Sequence, residues 1–361
     1  MYTENKILLG SSEFKAKLEY LAENAKDCFL VQSMTFEGDA AGEWLINTML
    51  NSPAIQKILV IDDYSNWVVN DTMLMSPAGI LNPNLRAEYR NAQKLIALAQ
   101  SFGIKVHVSN PIGLRFYTYP SRNHKKSIVI DNVCLLGGIN FSDHNFDWYD
   151  MMIQFDDDQL VDLVADDILK NSSGVKTSGY TNSGTEELFI LSPTSTDIYS
   201  KLFDKIRTSH QRIDIFSPYL SDPLLSVLAS ISDQTDIHIY TPEKNNKGIF
   251  NKLLHHKLQG RWFTLHQLPG IMSHLKAILI DDHELIVGSS NYDFASYFFE
   301  EEILIATSNQ SIIDEFIQRV KSEIVSKSVE FTQPESHPII NFMMTKIYKI
   351  LLKFDTKSLK I

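Results

Sequence analysis

Two closely similar strings occur in this chain, 150 residues apart: HKKSIVID from His124 to Asp131 and HLKAILID from His274 to Asp281. Each copy is followed by a short apolar run and then a glycine-led turn that ends in asparagine, GGIN at Asn140 and GSSN at Asn291. The shared pattern is H-x-K-x4-D, strand, G-[GS]-x-N. A chance match to its first part is expected at about 0.05 per chain of this size, so two matches in equivalent surroundings require a duplicated unit. A repeat commits both halves to building the same local structure.

The surroundings do correspond. Helical periodicity over Phe14–Asn24, then strand-like runs at Cys28–Met34 and Lys57–Ile61, parallels a helix over Thr194–Thr208 followed by strands at Arg212–Phe216 and Asp236–Tyr240. The offset there is about 180 residues and falls to 150 at the motifs. That difference predicts an insertion of about 30 residues in the first half, placed in Ser65–Asn91, where Asn and Pro are frequent and periodicity is lost. The Ser/Gly/Thr stretch Asn171–Glu186 reads as a linker. Alternating strands and helices imply an α/β fold. We expect two similar lobes, residues 1–170 and 187–330, each a mixed β-sheet flanked by helices, with a tail helix at 337–361. One motif per lobe implies a shared active site at the lobe interface.

Composition narrows the function classes. A net charge of −11 speaks against binding a nucleic-acid duplex, which needs a basic face. Two cysteines, Cys28 and Cys134, exclude a disulfide framework and a four-thiolate zinc site. The opening MYTENKILLGSSEF has no basic segment ahead of a long apolar run, and no run of 18 apolar residues occurs. The expectation is a cytoplasmic monomer without secretory signal or spanning helix.

The repeated residues suit phosphodiester chemistry. A neutral imidazole attacks phosphorus and splits one hard displacement into two easier ones. A second imidazole protonates the leaving alkoxide and then deprotonates the incoming alcohol or water. Two lysines and two asparagines supply charge and hydrogen bonds to the phosphoryl oxygens. The scheme requires no metal or other cofactor, and Asp156–Asp158 reads as a solvated helix start rather than a cation site.

These strings resemble the motifs of the phospholipase D superfamily, and within it those of the bacterial cardiolipin synthases. RNHKKSIVIDNVCLLGGIN (Arg122–Asn140) is similar to that group's first motif and WYD (Trp148–Asp150) to the acidic element after it. FSPYLSDPLL (Phe216–Leu225) and GSSNYDFASYFFEEE (Gly288–Glu302) are similar to the segments flanking the second. The likeness covers nearly all of Phe29–Thr307. It implies phosphatidyl transfer between glycerophospholipids, with a phospholipase D-type hydrolase or an endonuclease of the same superfamily as alternatives. By resemblance His124 is the nucleophile and His274 the general acid and base. Lys126, Lys276, Asn140, Asn291 and Ser289 hold the phosphoryl group. Asp150 and Glu302 are placed like acids that orient the histidines, each reaching the opposite half. Glu302 is chosen by spacing alone from Glu300–Glu302. Asp131 and Asp281 are read as anchors of the turn after the motif strand.

Beyond the motifs, the tail INFMMTKIYKILLKF is amphipathic, with Lys346, Lys349 and Lys353 on one face beside Asn341 and Thr345. From His337 to Ile361 the chain carries +4 against −15 for the rest. Such a helix suits the headgroup layer of an anionic membrane, on the inner face, and the alternative is docking on the acidic body. Phospholipid and membrane are therefore the expected partners, and nucleic acid is not. His255, His256 and His283 read as solvated. His144 is close enough in sequence to Asn140 to approach the site. Cys134 reads as a small buried hydrophobe. Phe294, Tyr297, Phe298 and Phe299 suit either a lipid entrance or core packing.

Overall fold

The computed structural model describes residues 6–113, 116–333 and 335–354. The chain divides into two compact units, Leu8–Thr177 and Ser178 onward, the latter also taking in Lys6 and Ile7. In the first unit a seven-stranded sheet runs in the order Ile7–Leu9, Met151–Phe155, Val133–Gly137, Ser127–Ile130, Cys28–Ser33, Gln56–Asp62, Lys105–Ser109. In the second a nine-stranded sheet runs Gly179–Ser183, Glu186–Leu191, Glu302–Thr307, Glu284–Gly288, Ala277–Ile280, Arg212–Phe216, Asp236–Pro242, Thr264–Leu268, Val329–Glu330. Both sheets are mixed. Cys28–Ser33 pairs parallel with Gln56–Asp62 and antiparallel with the motif strand Ser127–Ile130, and Arg212–Phe216 does the same with Asp236–Pro242 and Ala277–Ile280.

The motif strands SIVI and AILI are apolar at every position after the first, and all their residues are buried. Such unbroken runs belong to central strands covered on both faces. Helices supply the cover. Gly10–Asn24 buries Phe14, Leu18 and Ala22, and Thr196–Arg207 buries Ile198, Tyr199, Leu202, Phe203 and Ile206, at the spacing of one helical stripe.

Registers locate the insertion better than composition did. Ile58 pairs with Lys105 whereas His238 pairs with Thr264, so about 20 of the ~30 extra residues lie between these strands. They include the hairpin Val68–Val69/Thr72–Met73 and the short helix Pro77–Leu81. The rest fall between Ser109 and the first motif, outside the segment that the sequence suggested. The linker reading of 171–186 is also corrected. The helix Asp158–Asn171 ends inside it, and Gly179–Ser183 is a strand paired antiparallel with Glu186–Leu191 around a turn with Gly184 at φ 79°.

The C-terminal helix is described from Pro338 to Phe354, so Lys357 and Lys360 lie outside the described residues. It packs against Ile249–Lys257, with Ile340 and Met344 on the second unit's core and the Tyr348 ring 6.0 Å from Phe298. Ile339, Phe342, Met343, Ile347 and Ile350 face outward together with Lys346, Lys349 and Lys353. The apolar residues thus divide between two faces, one docked and one open. No helix among the described residues is long and apolar enough to cross a membrane.

Candidate active site

His124 and Lys126 lie on the segment that enters the motif strand at Ser127 rather than on the strand itself. One ladder bond beyond the strand, from Gly137 N to Lys126 O at 3.3 Å, fixes that segment, and Gly288 N makes the same bond to Lys276 O at 3.3 Å in the second unit. Both histidines and both lysines are buried. Lys126 Nζ donates to His124 O at 2.7 Å, and Lys276 Nζ donates to His274 O at 2.6 Å and to His274 Nδ1 at 2.8 Å.

The segment before His124 is held by a buried carboxylate. Asp62 accepts from Arg122 Nη1 at 2.7 Å, Asn123 N at 2.6 Å, Tyr64 N at 2.8 Å and Asn110 Nδ2 at 3.2 Å. Burial outweighs these donors and pushes the Asp62 carboxyl up to about 6. The Asn123 side chain donates to Gln32 Oε1 at 3.0 Å, and Gln32 Nε2 donates to Asp167 at 2.9 Å. Asp167 also pairs with Lys125 at 2.6 Å, and both side chains are fully buried. In the second unit the position of Lys125 is taken by buried Leu275.

Asp131 and Asp281 brace turns rather than face the histidines. Both have left-handed backbone, φ 49° and 52°. Asp131 accepts from Lys26 N, Asp27 N and Cys28 N at 2.8–3.0 Å, and Asp281 from Ser209 Oγ and from His210 N, Gln211 N and Arg212 N over the same range. Partial burial raises each carboxyl, but these donors prevail and hold both below the ordinary range.

Sheet register identifies the two acids independently of spacing. Gly137 pairs with Met152 and Gly288 with Leu304, which makes Asp150 and Glu302 equivalent positions two residues upstream. Gly138 N to Met151 O at 3.1 Å and Ser289 N to Ile303 O at 2.9 Å repeat the match. Both acids are buried. Their settings differ at the Gly138/Ser289 position. A Cβ on Gly138 would meet both Asp150 carboxylate oxygens at 2.4 Å, so the shorter acid needs glycine there. Ser289 Oγ donates to Glu302 Oε2. The serine proton therefore goes to the acid, a partner that the sequence reading did not give it.

Asn140 Oδ1 accepts from Ser33 Oγ at 3.4 Å and Thr35 N at 3.3 Å, and its Nδ2 donates to Asn145 Oδ1 at 3.3 Å. Asn145 Nδ2 lies 2.7 Å from His144 Nε2, which links that histidine to Asn140 through one side chain. Asn291 is buried with Oδ1 unpartnered. Tyr297 is buried against Tyr199, and Phe294 and Phe298 are partly buried on the core, so this group packs inward. Asp157 caps the helix Asp158–Asn171 by accepting from Leu160 N at 3.0 Å. Cys134 is fully buried, which pushes its thiol up.

Near His144, Glu37 is buried beside Glu88 and Asp39, and burial followed by those acids pushes its carboxyl up to about 9 although Asn70 N donates to it. A raised carboxyl pKa favours the folded state while the group is protonated, and this contribution is lost as pH rises from the unfolded value through about 9. Thermal stability is therefore expected to fall between pH 5 and pH 9, and Glu37→Gln to make that fall shallower. Melting curves across this range check it, and an unchanged slope would refute the assignment.

Comparison with known proteins agrees with the motifs. Residues 202–324 match the family described as cardiolipin synthase, PLD-like domain. The minor cardiolipin synthase ClsB of Bacillus subtilis (strain 168) is 23% identical over 62% of this chain and 61% of its own length. Cardiolipin synthase A of Wigglesworthia glossinidia brevipalpis is 26% identical over 53% of this chain and 45% of its own length. The chain thus spans about half to three-fifths of these relatives. In fold it is similar to the crystal structure of phosphatidylserine synthase from Haemophilus influenzae Rd KW20, with a TM-score of 0.69, 14% identity, and coverage of 97% of this chain and 94% of that one. Duplicated motifs on corresponding sheets, the family matched over residues 202–324 and these relatives point the same way: the chain is similar to proteins with PLD-like domains.

Proposed function

We propose that this chain transfers phosphatidyl groups through a phosphohistidine and joins two phosphatidylglycerol molecules into cardiolipin, releasing glycerol. The observation that carries the proposal is the duplication itself. Two H-x-K segments enter equivalent strands in the same register, each followed by a buried asparagine and a buried acid at equivalent positions. In the reaction, His124 attacks phosphorus and the bond to the glycerol oxygen breaks. Protonated His274 gives that oxygen its proton. His274, now neutral, takes the proton from a hydroxyl of the second phosphatidylglycerol, whose oxygen displaces His124 and completes the phosphodiester. Lys126, Lys276, Asn140 and Asn291 hold the phosphoryl oxygens, and Asp150 and Glu302 fix the imidazoles.

Mass spectrometry of phosphatidylglycerol liposomes after incubation with the protein tests the reading. Cardiolipin and glycerol are expected, and their absence with His124→Ala. Phosphatidic acid instead would make water the acceptor. No lipid turnover, in a preparation that cleaves single-stranded DNA, would replace the lipid by nucleic acid.

The C-terminal helix serves this reading as a contact with the cytoplasmic face of an anionic membrane. Its outward residues Ile339, Met343 and Ile350 are flanked by Lys346, Lys349 and Lys353. Each lysine near such a surface contributes about 1 kcal/mol, so replacing all three by glutamine is expected to weaken liposome binding on the order of 10²-fold at low salt. Substitution is a cleaner test than truncation, because truncation would also uncover the core beneath Ile340, Met344 and Tyr348. Equal sedimentation of both proteins with phosphatidylglycerol vesicles would refute it.

A further inference from the structure

We propose that His255, Glu335 and His337 bind a divalent transition-metal ion, preferentially zinc, which fastens the start of the C-terminal helix to the helix Ile249–Lys257. His337 Nε2 lies 2.9 Å from Glu335 Oε2, and His255 Nδ1 lies 3.7 Å from the same oxygen. One ligand atom from each of the three residues falls within 4.8 Å of the others. Ligands bound at 2.0–2.1 Å around a tetrahedral zinc stand about 3.4 Å apart. The two measured spacings bracket that value, and Glu335, the most exposed of the three, is free to adjust between them.

The setting is built rather than incidental. Reading His255 as solvated was wrong: Phe331 stacks on its ring at 4.1 Å, and Nδ1 is buried without a hydrogen-bond partner. A buried polar atom left without a partner has a specific cause, and a ligand position is one. Gln267 Nε2 lies 2.9 Å from His255 Nε2. The two ends of a glutamine amide exchange by rotation. With its oxygen toward the ring, Gln267 accepts from Nε2–H and leaves the Nδ1 lone pair facing Glu335, the usual way an outer partner fixes a metal-binding tautomer. His337 N donates to His256 Nδ1 at 3.2 Å, so the segment carrying two ligands is tied to the helix carrying the third. Two imidazoles and one carboxylate leave a fourth position for water, a donor set that suits zinc. None of these residues belongs to the proposed catalytic set, and the inference does not rest on the lipid chemistry.

Zinc titration of the full chain, after removal of metals and in competition with a chromophoric chelator, tests the proposal. One zinc per chain is expected, with affinity lowered at least about tenfold by His255→Gln, Glu335→Gln or His337→Gln and about tenfold by Gln267→Leu. Bound zinc is also expected to slow proteolysis at the start of the C-terminal helix. Glu335→Gln changes an exposed side chain, so it keeps the test decisive if a histidine variant fails to fold. A folded chain that takes up no zinc, or whose zinc affinity is unchanged by all three ligand variants, overturns the proposal.

Discussion

His124→Ala is expected to abolish turnover, by on the order of 10⁴-fold or more, because no other group in the proposed scheme can form the bond to phosphorus. His274→Ala is expected to cost about 10²–10⁴-fold, the usual contribution of a general acid and base. Activity alone does not separate the two roles, but a phosphodiester with a nitrophenol leaving group does. Nitrophenolate departs without a proton, so the first step no longer needs an acid. With that substrate His274→Ala is expected to release one equivalent of nitrophenolate rapidly and then stall, leaving phosphorus on the protein. His124→Ala is expected to give no burst. A burst from His124→Ala and none from His274→Ala would exchange the two assignments. Full steady turnover by either variant would remove that histidine from the reaction.

Local strings make the motifs and the sheets legible in the sequence alone. The strands around His124 and His274 are short apolar runs closed by an aspartate, and the same residue types form them twice. What stayed hidden depends on pairing between distant segments. Asp150 follows from the WYD string and Glu302 only from counting along the chain, and it is the register of their strands against Gly137 and Gly288 that makes them equivalent. Gly179–Ser183 has linker composition and becomes a strand because Glu186–Leu191 lies beside it. Amphipathicity in the tail was evident, but not that its apolar residues serve two faces, since docking by Met344 and Tyr348 is decided by the core beneath. His255 likewise depends on Phe331 and Gln267, which no helical pattern brings near it.

Lys125, an unspecified position of H-x-K, shows what such distant pairing is worth. Its ammonium and the Asp167 carboxylate are fully buried at 2.6 Å, with Gln32 and Asn171 donating to the same carboxylate at 2.9 and 3.1 Å. Removing one member of a buried pair strands the other charge. Lys125→Ala is therefore expected to destabilise the first unit by about 3–5 kcal/mol, measured as a lowered denaturation midpoint. The second unit supplies the contrast, because Leu275 occupies the equivalent position and is buried without a charge. Replacing both members, Lys125→Leu with Asp167→Leu, is expected to recover most of that loss, since well-packed apolar side chains replace buried ion pairs at little or no cost. Recovery of stability need not bring recovery of activity. Asp167 positions Gln32, Gln32 accepts from Asn123, and Asn123 precedes His124. A double variant as stable as the parent but slowed in turnover would assign the pair to positioning the motif. A double variant no more stable than Lys125→Ala would show instead that the first unit depends on this charge pair where the second does not.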